Sequence, residues 1–377
     1  MFDPRVAQLA QVLVEYSTRV KRGDTVLINA IGVDTYPLVK ELHKLCLQRG
    51  AKYVQYDFEF PEVLKDFYNC ASREQAEYFP QHKLDFMKQV DVFIAVRAPE
   101  NAMVYANANP DNQRRYQTTM NPILQHRVKF TRWVVTRWPT HAAAQDAKMS
   151  LEEFWNFFFG CTIFDYAGLK KKQAQLVRLM NRAHRVRIKA SDTDLAFSLK
   201  GMRGISCHGD RNIPDGEVYT APVRDSLEGY LTYNTPSIYL GKEYNNIRLE
   251  FSRGRIVKAE AGGMSEALNH IFDTDEGARY IGEFSIGTNT EIRQPMRNIL
   301  FDEKIFGSIH LTPGSAYEEP GCDNGNRSAI HWDLVKILTG DGEIWFDNQL
   351  IQKNGLFVHP ALLEMNPQGS KTSKRRK

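Results

Sequence analysis

The chain has 377 residues, of which 42% are hydrophobic and 25% are charged. These values are typical of a folded globular protein and exclude a disordered or membrane-embedded chain, and the length predicts two domains. The formal net charge is only +4, which excludes a dedicated DNA- or RNA-binding protein, so we expect no nucleic-acid partner.

The cysteines and the apolar segments indicate the cellular compartment. The five cysteines are scattered and include no C-x-x-C pair, so they predict neither a disulfide framework nor a zinc ribbon. The first residues show no signal peptide, and no segment reaches the ~18–20 apolar residues of a membrane span. We therefore expect a cytoplasmic protein without a membrane partner.

The first half of the chain alternates between helical and extended patterns. The spacing of apolar residues predicts helices over 5–20, 36–48, 151–159 and 168–187, and strands over 25–29, 54–57, 90–96 and 129–136. Strands that alternate with helices predict a mostly parallel sheet with right-handed crossovers. The segment after the first strand has one glycine, Gly32, where a dinucleotide-binding loop needs three.

The pattern changes near Ala190, where short alternating segments separated by Gly and Asn turns begin. This pattern predicts a second domain rich in β-sheet. We therefore predict an α/β N-terminal domain over residues 1–190, with a mostly parallel sheet. An α+β metal-binding catalytic domain should cover 191–369, and a basic disordered tail should cover 370–377.

Four segments of the second domain place metal-binding side chains beside strands or tight turns. They contribute Glu217, Glu283, His310 with Tyr317, and His331 with Asp333. The apolar segment 305–310 predicts a strand that ends at His310. In a strand, side chains two residues apart point to one face, so His331 and Asp333 could bind one ion together. Taken alone, each of these residues also has a structural interpretation, such as a capping Asp or a hydrogen-bonded His.

Four sequence motifs occur together and in a fixed order. They are R-N-x-P-D-G-E-V at 211–218, E-x-x-x-G-T-N at 283–289, E-K-I-x-G-S-I-H at 303–310, and N-x-S-x-x-H-W-D at 326–333. With these motifs the chain resembles the thermophilic metalloprotease family of aminopeptidases. The resemblance in motifs covers 211–333, while the N-terminal half resembles the family only in its α/β pattern.

The resemblance implies a metal-dependent aminopeptidase that hydrolyses the N-terminal peptide bond of unblocked peptides. It implies two divalent metal ions (Zn, Co, Mn or Mg), and also a cytoplasmic homodimer. The implied metal ligands are Glu217, Glu283, His310, His331 and Asp333. Two metal ions can activate a water and polarise the scissile carbonyl.

The resemblance also suggests roles for three further groups. We expect Glu283 to combine metal binding with proton transfer, and the Tyr317 hydroxyl to donate to the oxyanion. Glu303 is either a further ligand or orienting residue, or an exposed partner of Lys304.

Two other functions remain open at this point. His310, His331 and Asp333 are a two-histidine, one-carboxylate set, which suits a mononuclear non-haem iron ring-cleaving dioxygenase. Such a site does not need Glu217 and Glu283, whereas a two-metal site does. A non-catalytic binding protein with the same fold is the third interpretation.

Overall fold

The computed structural model of the protein describes residues 3–98, 100–101, 103–239 and 241–370. Apart from Ser370, the predicted basic tail over 370–377 lies outside these residues. The α-helices are α1 Pro4–Gln11, α2 Tyr36–Gln48, α3 Pro61–Cys70, α4 Arg73–Ala76, α5 Gln81–Met87, α6 Pro110–Phe130, α7 His141–Asp146, α8 Leu151–Thr162, α9 Tyr166–Arg182, α10 Ser265–Phe272 and α11 Ile299–Asp302. None of the described helices is both long and apolar enough to cross a membrane.

The strands number β1 to β20 along the described chain. They are β1 Thr25–Ile31, β2 Tyr53–Glu59, β3 Val92–Arg97, β4 Arg132–Arg137, β5 Arg185–Ala190, β6 Thr193–Ser198, β7 Ile205–Cys207, β8 Asn212–Ile213, β9 Glu217–Thr220, β10 Glu228–Thr232, β11 Ser237–Tyr239, β12 Lys242–Tyr244, β13 Arg248–Ser252, β14 Arg255–Glu260, β15 Ile281–Gly287, β16 Ser308–Pro313, β17 Leu334–Ile337, β18 Glu343–Phe346, β19 Gln349–Lys353 and β20 Leu356–Phe357. A π-helical turn, Val12–Ser17, extends α1, so the first predicted helix continues almost to Val20.

The chain folds as two compact units. The first contains the residues up to Phe164 together with Gly209–Pro214, and the second contains Asp165–His208 and the chain from Asp215 onward. This division lies before the predicted boundary near Ala190, because α9 belongs to the second unit. The fully buried Gln173 of α9 explains this, since its amide donates to two backbone carbonyls and one hydroxyl of the second unit, those of Cys207, Glu217 and Thr288.

The first unit is built on a five-stranded sheet in the order β2-β1-β3-β4-β8, with every pair parallel. The inner strands β1 and β3 are buried almost throughout and consist mainly of Val, Ile, Leu and Ala, as strands covered on both faces require. The predicted mostly parallel sheet is therefore confirmed.

Helix α6 is absent from the sequence prediction. Its sequence is rich in Arg, Gln, Asn and Thr, contains Pro122, and buries only Asn112 among its described residues. It therefore lacks the apolar stripe by which an amphipathic helix is recognised. For the same reason the strand predicted over 129–136 begins later, at Arg132, because Lys129 and Phe130 complete α6.

The second unit contains two larger antiparallel sheets. One has eight strands in the order β14-β13-β10-β6-β5-β18-β19-β20, and the other has five in the order β17-β16-β15-β9-β7. The five-stranded sheet contributes Val218, Phe284, Ile309, Leu311 and Leu334 to a large apolar core that also contains residues of the eight-stranded sheet. The predicted α+β domain rich in sheet is confirmed.

Candidate metal centre

The five-stranded antiparallel sheet carries polar side chains on the face opposite its apolar core residues. The register pairs Gly287 of β15 with Glu217 of β9, and Ser285 of β15 with His310 of β16. Because side chains alternate along a strand, this register places Glu217, Glu283 and His310 on one face. The three side chains are buried there.

Glu283 lies at the centre of the group, and its two oxygens face different imidazoles. Its Oε1 is 3.2 Å from His310 Nε2, and its Oε2 is 3.5 Å from His331 Nε2. Glu217 Oε2 lies 3.5 Å from His310 Nε2, and Asp333 Oδ1 lies 3.4 Å from His331 Nε2. The structure thus brings together all five residues that the sequence resemblance implied as ligands.

These distances allow a direct test of whether a metal fits. Ligand atoms that bind a tetrahedral ion at about 2.0–2.1 Å lie roughly 3.3 Å from one another. In two groups, Glu217–Glu283–His310 and Glu283–His331–Asp333, the histidine Nε2 lies 3.2–3.5 Å from both carboxylates, and all ligand atoms lie within 4.8 Å of one another. The residues therefore fit two cations that share Glu283.

The hydrogen bonding of His331 provides a second sign of a metal site. Its Nδ1 lies 2.8 Å from the carbonyl oxygen of Ser315, which fixes Nδ1 as the protonated nitrogen. In the described part of the chain its buried Nε2 has no hydrogen-bond partner. An imidazole whose Nδ1 donates to a carbonyl and whose Nε2 faces two carboxylates has the arrangement of a metal ligand once Nε2 loses its proton.

The segment positions differ from the sequence prediction in two respects. His310 lies within β16, whereas the prediction placed it at the end of a strand covering 305–310. His331 and Asp333 precede β17 and do not lie in a regular strand, although they still come together. Thr312 of β16 donates a 2.6 Å hydrogen bond to Asp333 Oδ1 and orients this carboxylate.

Sequence reasoning missed Lys304 as a member of this site. Its side chain is completely buried, its Nζ donates to Glu217 Oε1 at 2.7 Å, and it makes a close ion pair with Glu303. A third carboxylate, Asp215, lies 3.8 Å from Nζ. Lys304 does pair with Glu303, as one interpretation held, but the pair is not at the surface. The indication in the sequence that Lys304 is buried was its position directly before the apolar Ile305.

Glu303 also belongs to the cluster. One of its oxygens contacts Lys304, and the residue can contribute a ligand atom within 4.8 Å of those of His310 and Asp333. Burial and the charges of Glu217 and Asp333 raise the pKa of Glu303 to about 8, although Lys304 acts in the opposite direction. Its position fits either a further ligand or a residue that orients the others.

The electrostatic balance of the site shows a need for positive charge. Burial alone would raise the pKa of Glu217 and of Glu283. Lys304 and His310 nevertheless hold the pKa of Glu217 below its usual value. The two histidines likewise hold the pKa of Glu283 below its usual value. Burial lowers the pKa of His310 and His331, but the neighbouring carboxylates raise it to about 9 and about 10. Without a metal, protons on the imidazoles therefore balance the buried carboxylates.

Tyr317 lies beside this cluster. Its ring centroid is 5.0 Å from that of His331 and 5.3 Å from that of Tyr219, and 45% of the residue is exposed. Desolvation and the charges of Glu283 and Asp333 raise the pKa of its phenol well above the usual value. The hydroxyl therefore keeps its proton at neutral pH and can act as a hydrogen-bond donor.

A comparison with known protein families covers almost the whole chain. Residues 2–355 match the family described as thermophilic metalloprotease (M29). The chain belongs to this family. The resemblance stated from the four motifs is thereby confirmed, and with it a divalent-metal-binding enzyme of the metallo-aminopeptidase class within the hydrolases.

Curated members with similar sequences carry aminopeptidase names. Aminopeptidase 2 of Geobacillus stearothermophilus is 23% identical over 94% of this chain and 95% of its own length. Aminopeptidase AmpS of Bacillus subtilis is 25% identical over 89% of this chain and 92% of its own length. This chain therefore spans nearly the full length of these relatives.

Two solved structures have a similar fold. Wild-type AmpT from Thermus thermophilus superposes with a TM-score of 0.81 at 21% sequence identity, covering 95% of this chain and 100% of that one. A 2,5-dihydroxypyridine dioxygenase from Pseudomonas putida KT2440 superposes with a TM-score of 0.63 at 14% sequence identity, covering 96% of this chain and 99% of that one. At these identities the likeness concerns the fold, and it confirms the predicted α/β plus α+β fold class.

The raised histidine pKa values predict how metal affinity depends on pH. His310 and His331 hold protons up to pH values of about 9 and about 10 in the metal-free protein, and a cation binds only the deprotonated rings. The apparent affinity should therefore fall as the pH decreases below 9, by roughly ten- to a hundredfold per unit for one or two displaced protons. Titration calorimetry in buffers of different ionisation enthalpy measures both the metal affinity and the number of protons released on binding. An affinity that is constant between pH 6 and 9 would contradict this assignment.

Replacing Lys304 tests the ion pairs inside the site. Lys304→Met should destabilise the metal-free protein by about 3–5 kcal/mol, because it leaves buried carboxylates without their cation. Excess divalent metal should then recover more unfolding free energy in this variant than in the wild type, measured by urea denaturation.

Lys336→Met is the matched control for that experiment. Lys336 is also buried, but its Nζ bonds to Asp192 and to the Thr232 carbonyl, outside the metal cluster. This control should lose stability without the extra metal response. Equal recovery in the two variants would remove Lys304 from the metal centre.

Proposed function

We propose that the protein is an aminopeptidase that hydrolyses the N-terminal peptide bond of unblocked peptides with the help of two divalent cations. The observation that carries the proposal is the position of Glu283, whose two oxygens face two separate ligand groups. A carboxylate placed in this way can bridge a pair of metal ions. The aminopeptidase names of the relatives support peptides as the substrate class.

The described side chains divide into two ligand sets. Glu217 Oε2, Glu283 Oε1 and His310 Nε2 would hold one cation, and Glu283 Oε2, His331 Nε2 and Asp333 Oδ1 would hold the other. When bound, zinc, cobalt, manganese or magnesium would supply a Lewis acid and a water of lowered pKa. Three carboxylates and two imidazoles offset most of the charge of two dications.

Lys304 contributes to this arrangement by fixing Glu217. Because Lys304 occupies Glu217 Oε1 and the Ser285 hydroxyl donates to Oε2 at 2.9 Å, the carboxylate has a defined orientation. Only Oε2 faces His310, at 3.5 Å. Glu217 is therefore held as a ligand that offers one oxygen, which favours open coordination positions for water and substrate.

The proton-transfer role has two candidates in this geometry. We propose Glu283, as the sequence suggested, but both of its oxygens face imidazoles, which supports the bridging role more directly. Glu303 lies beside His310 and Asp333, and its pKa of about 8 is close to the value that suits a general base at neutral pH. Tyr317, with its protonated hydroxyl, is the candidate donor to the oxyanion.

The alternative, a mononuclear iron dioxygenase that uses His310, His331 and Asp333, explains fewer of these features. It gives no role to Glu217 and Glu283, which are buried and costly to ionise without a cation. The resemblance to the family also predicts a homodimer in the cytoplasm, and sedimentation velocity tests the homodimer.

The substrate proposal is tested with peptides that differ only at the amino terminus. We expect stepwise release of N-terminal residues from a free peptide and no cleavage of its N-acetylated counterpart, because the free amine is part of recognition. Mass spectrometry of the products distinguishes the two. Equal cleavage of both peptides would refute an aminopeptidase, and oxygen consumption with a dihydroxylated aromatic would support the dioxygenase.

Three conservative variants separate the catalytic roles. Tyr317→Phe should reduce kcat by ~10²–10³ with little change in KM, since it removes one donor to the transition state. Glu283→Gln should lose metal as well as activity, because it weakens both ligand sets. Glu303→Gln should lose activity and keep its metals if Glu303 transfers the proton.

Tyr219→Phe is the control for Tyr317→Phe, since the two rings are in contact. Metal content and steady-state kinetics are measured for every variant. Near-normal kcat in Tyr317→Phe would make this residue structural. Retained turnover and metals in Glu283→Gln would move the proton transfer to another carboxylate, Glu217 or Glu303.

A further inference from the structure

A pair of arginines stands at the carboxyl edge of the parallel sheet in the first unit. Arg97 is the last residue of β3, Arg137 is the last residue of β4, and the two are direct partners in the strand register. Paired residues of neighbouring strands project from the same face of a sheet. The structure therefore places both arginine side chains on one face at the same edge, and the charge of Arg137 acts on Arg97.

Among the residues that the structure describes, these two cations have no carboxylate within ion-pair distance. Arg97 Nη1 donates to the Asn29 carbonyl at 2.9 Å, and the Arg137 side chain makes no hydrogen bond to any described residue. Within the described part of the chain, no carboxylate oxygen lies within 4.0 Å of either guanidinium. Glu59, whose charge acts on Arg97, accepts a 2.8 Å hydrogen bond from Asn29 Nδ2.

The surroundings make this arrangement unfavourable when no anion is bound. Both side chains are partly buried, and burial lowers the pKa of Arg137 and lowers that of Arg97 to about 10. Desolvation of like charges without a counter-ion costs free energy. An anion between them would offset this cost.

Two further arginines increase the positive charge on this part of the unit. Arg127 of α6 lies over the rings of Phe93 and Trp133, at 5.0 and 4.8 Å from the ring centroids, and Arg211 lies 5.0 Å over Trp133. Phe93 and Trp133 precede Arg97 and Arg137 by four residues, so they project from the same face. The charges of Arg127 and Arg137 both act on Arg97.

The place of Arg97 in the sheet topology is one where ligands bind. In the order β2-β1-β3-β4-β8, strand β2 lies on one side of β1, and the strands that follow it in the chain lie on the other side. The direction of the strand order therefore reverses between β1 and β3, which makes this position the topological switch point. In open parallel sheets, ligands bind outside the carboxyl ends of the strands at this point. Arg97 ends β3 there, and its guanidinium reaches Asn29 of β1.

We propose that Arg97 and Arg137 form a binding site for a small oxyanion, built from residues of the first unit that are not candidate metal ligands. A guanidinium presents a planar set of donors that matches carboxylate and phosphate oxygens. The anion is either a carboxylate carried by a peptide or free phosphate, and both offer the same oxygen acceptors. This site does not depend on the aminopeptidase proposal, because none of its residues is a candidate metal ligand.

The test measures anion binding to the full-length, metal-loaded protein by titration calorimetry. The probes are inorganic phosphate, an N-acetylated peptide with a free C-terminal carboxylate, and the same peptide as its C-terminal amide. We expect phosphate or the peptide acid to bind, and the amide to bind more weakly than the acid. Arg137→Gln should weaken binding at least about tenfold, since it removes a charge-assisted pair.

Arg114→Gln is the matched control, because Arg114 belongs to the same unit and is an exposed residue paired with Asp111. Its anion affinity should equal that of the wild type, and any phosphate held by the metals should persist in every variant. Arg137→Lys keeps the charge and should show intermediate binding, which covers the case of poor folding in Arg137→Gln. The proposal is overturned if neither phosphate nor the peptide acid binds the wild type, or if both Arg137 variants bind them unchanged.

Discussion

The arrangement of the second unit depends on the buried negative charge on one face of its five-stranded antiparallel sheet. Strands β9 and β15 direct Glu217 and Glu283 into a space from which water is largely excluded, and Asp333 and Glu303 border it. Carboxylates in such a place need cations. Lys304 supplies one positive charge, and protons on two imidazoles supply more in the metal-free protein. In the proposed active form, the deprotonated imidazoles and the carboxylates would hold divalent metals in place of those protons.

The backbone around the site is arranged so that these charges stay in position. The opposite face of the same sheet is anchored in the apolar core, which fixes the strand register. Gly287 permits a close approach, because a Cβ at this position would lie 2.1 Å from the Ile305 carbonyl oxygen. Gly216, directly before Glu217, has a φ of +135° and packs against Asn289. The side chain of Asn289 in turn donates to the Asp215 carbonyl.

The sequence allowed the fold class and the family to be predicted because these depend on local patterns and on motifs of several residues. Short apolar runs predicted β1 and β3 at 25–29 and 90–96, and the H-W-D segment predicted that His331 and Asp333 would meet. The role of Lys304 could not be predicted, since its partner Glu217 is 87 positions away and a lysine usually lies at the surface. The boundary was predicted near Ala190 because the pattern of short extended segments begins there, after α9. The bonds from Gln173 to Cys207, Glu217 and Thr288 join residues far apart in the chain and leave no local pattern. Helix α6 escaped prediction because it has almost no buried face.

We propose that the buried carboxylates and imidazoles hold two cations, with Glu283 as a ligand of both. The number of metal ions per chain, measured by elemental mass spectrometry on the purified protein after equilibration with zinc, cobalt or manganese, tests it most directly. We expect two ions per wild-type chain, and fewer than two in His331→Ala, because that change removes a ligand from one set. A wild-type protein that binds a single ion with every metal, or a His331→Ala protein that retains two, would contradict it.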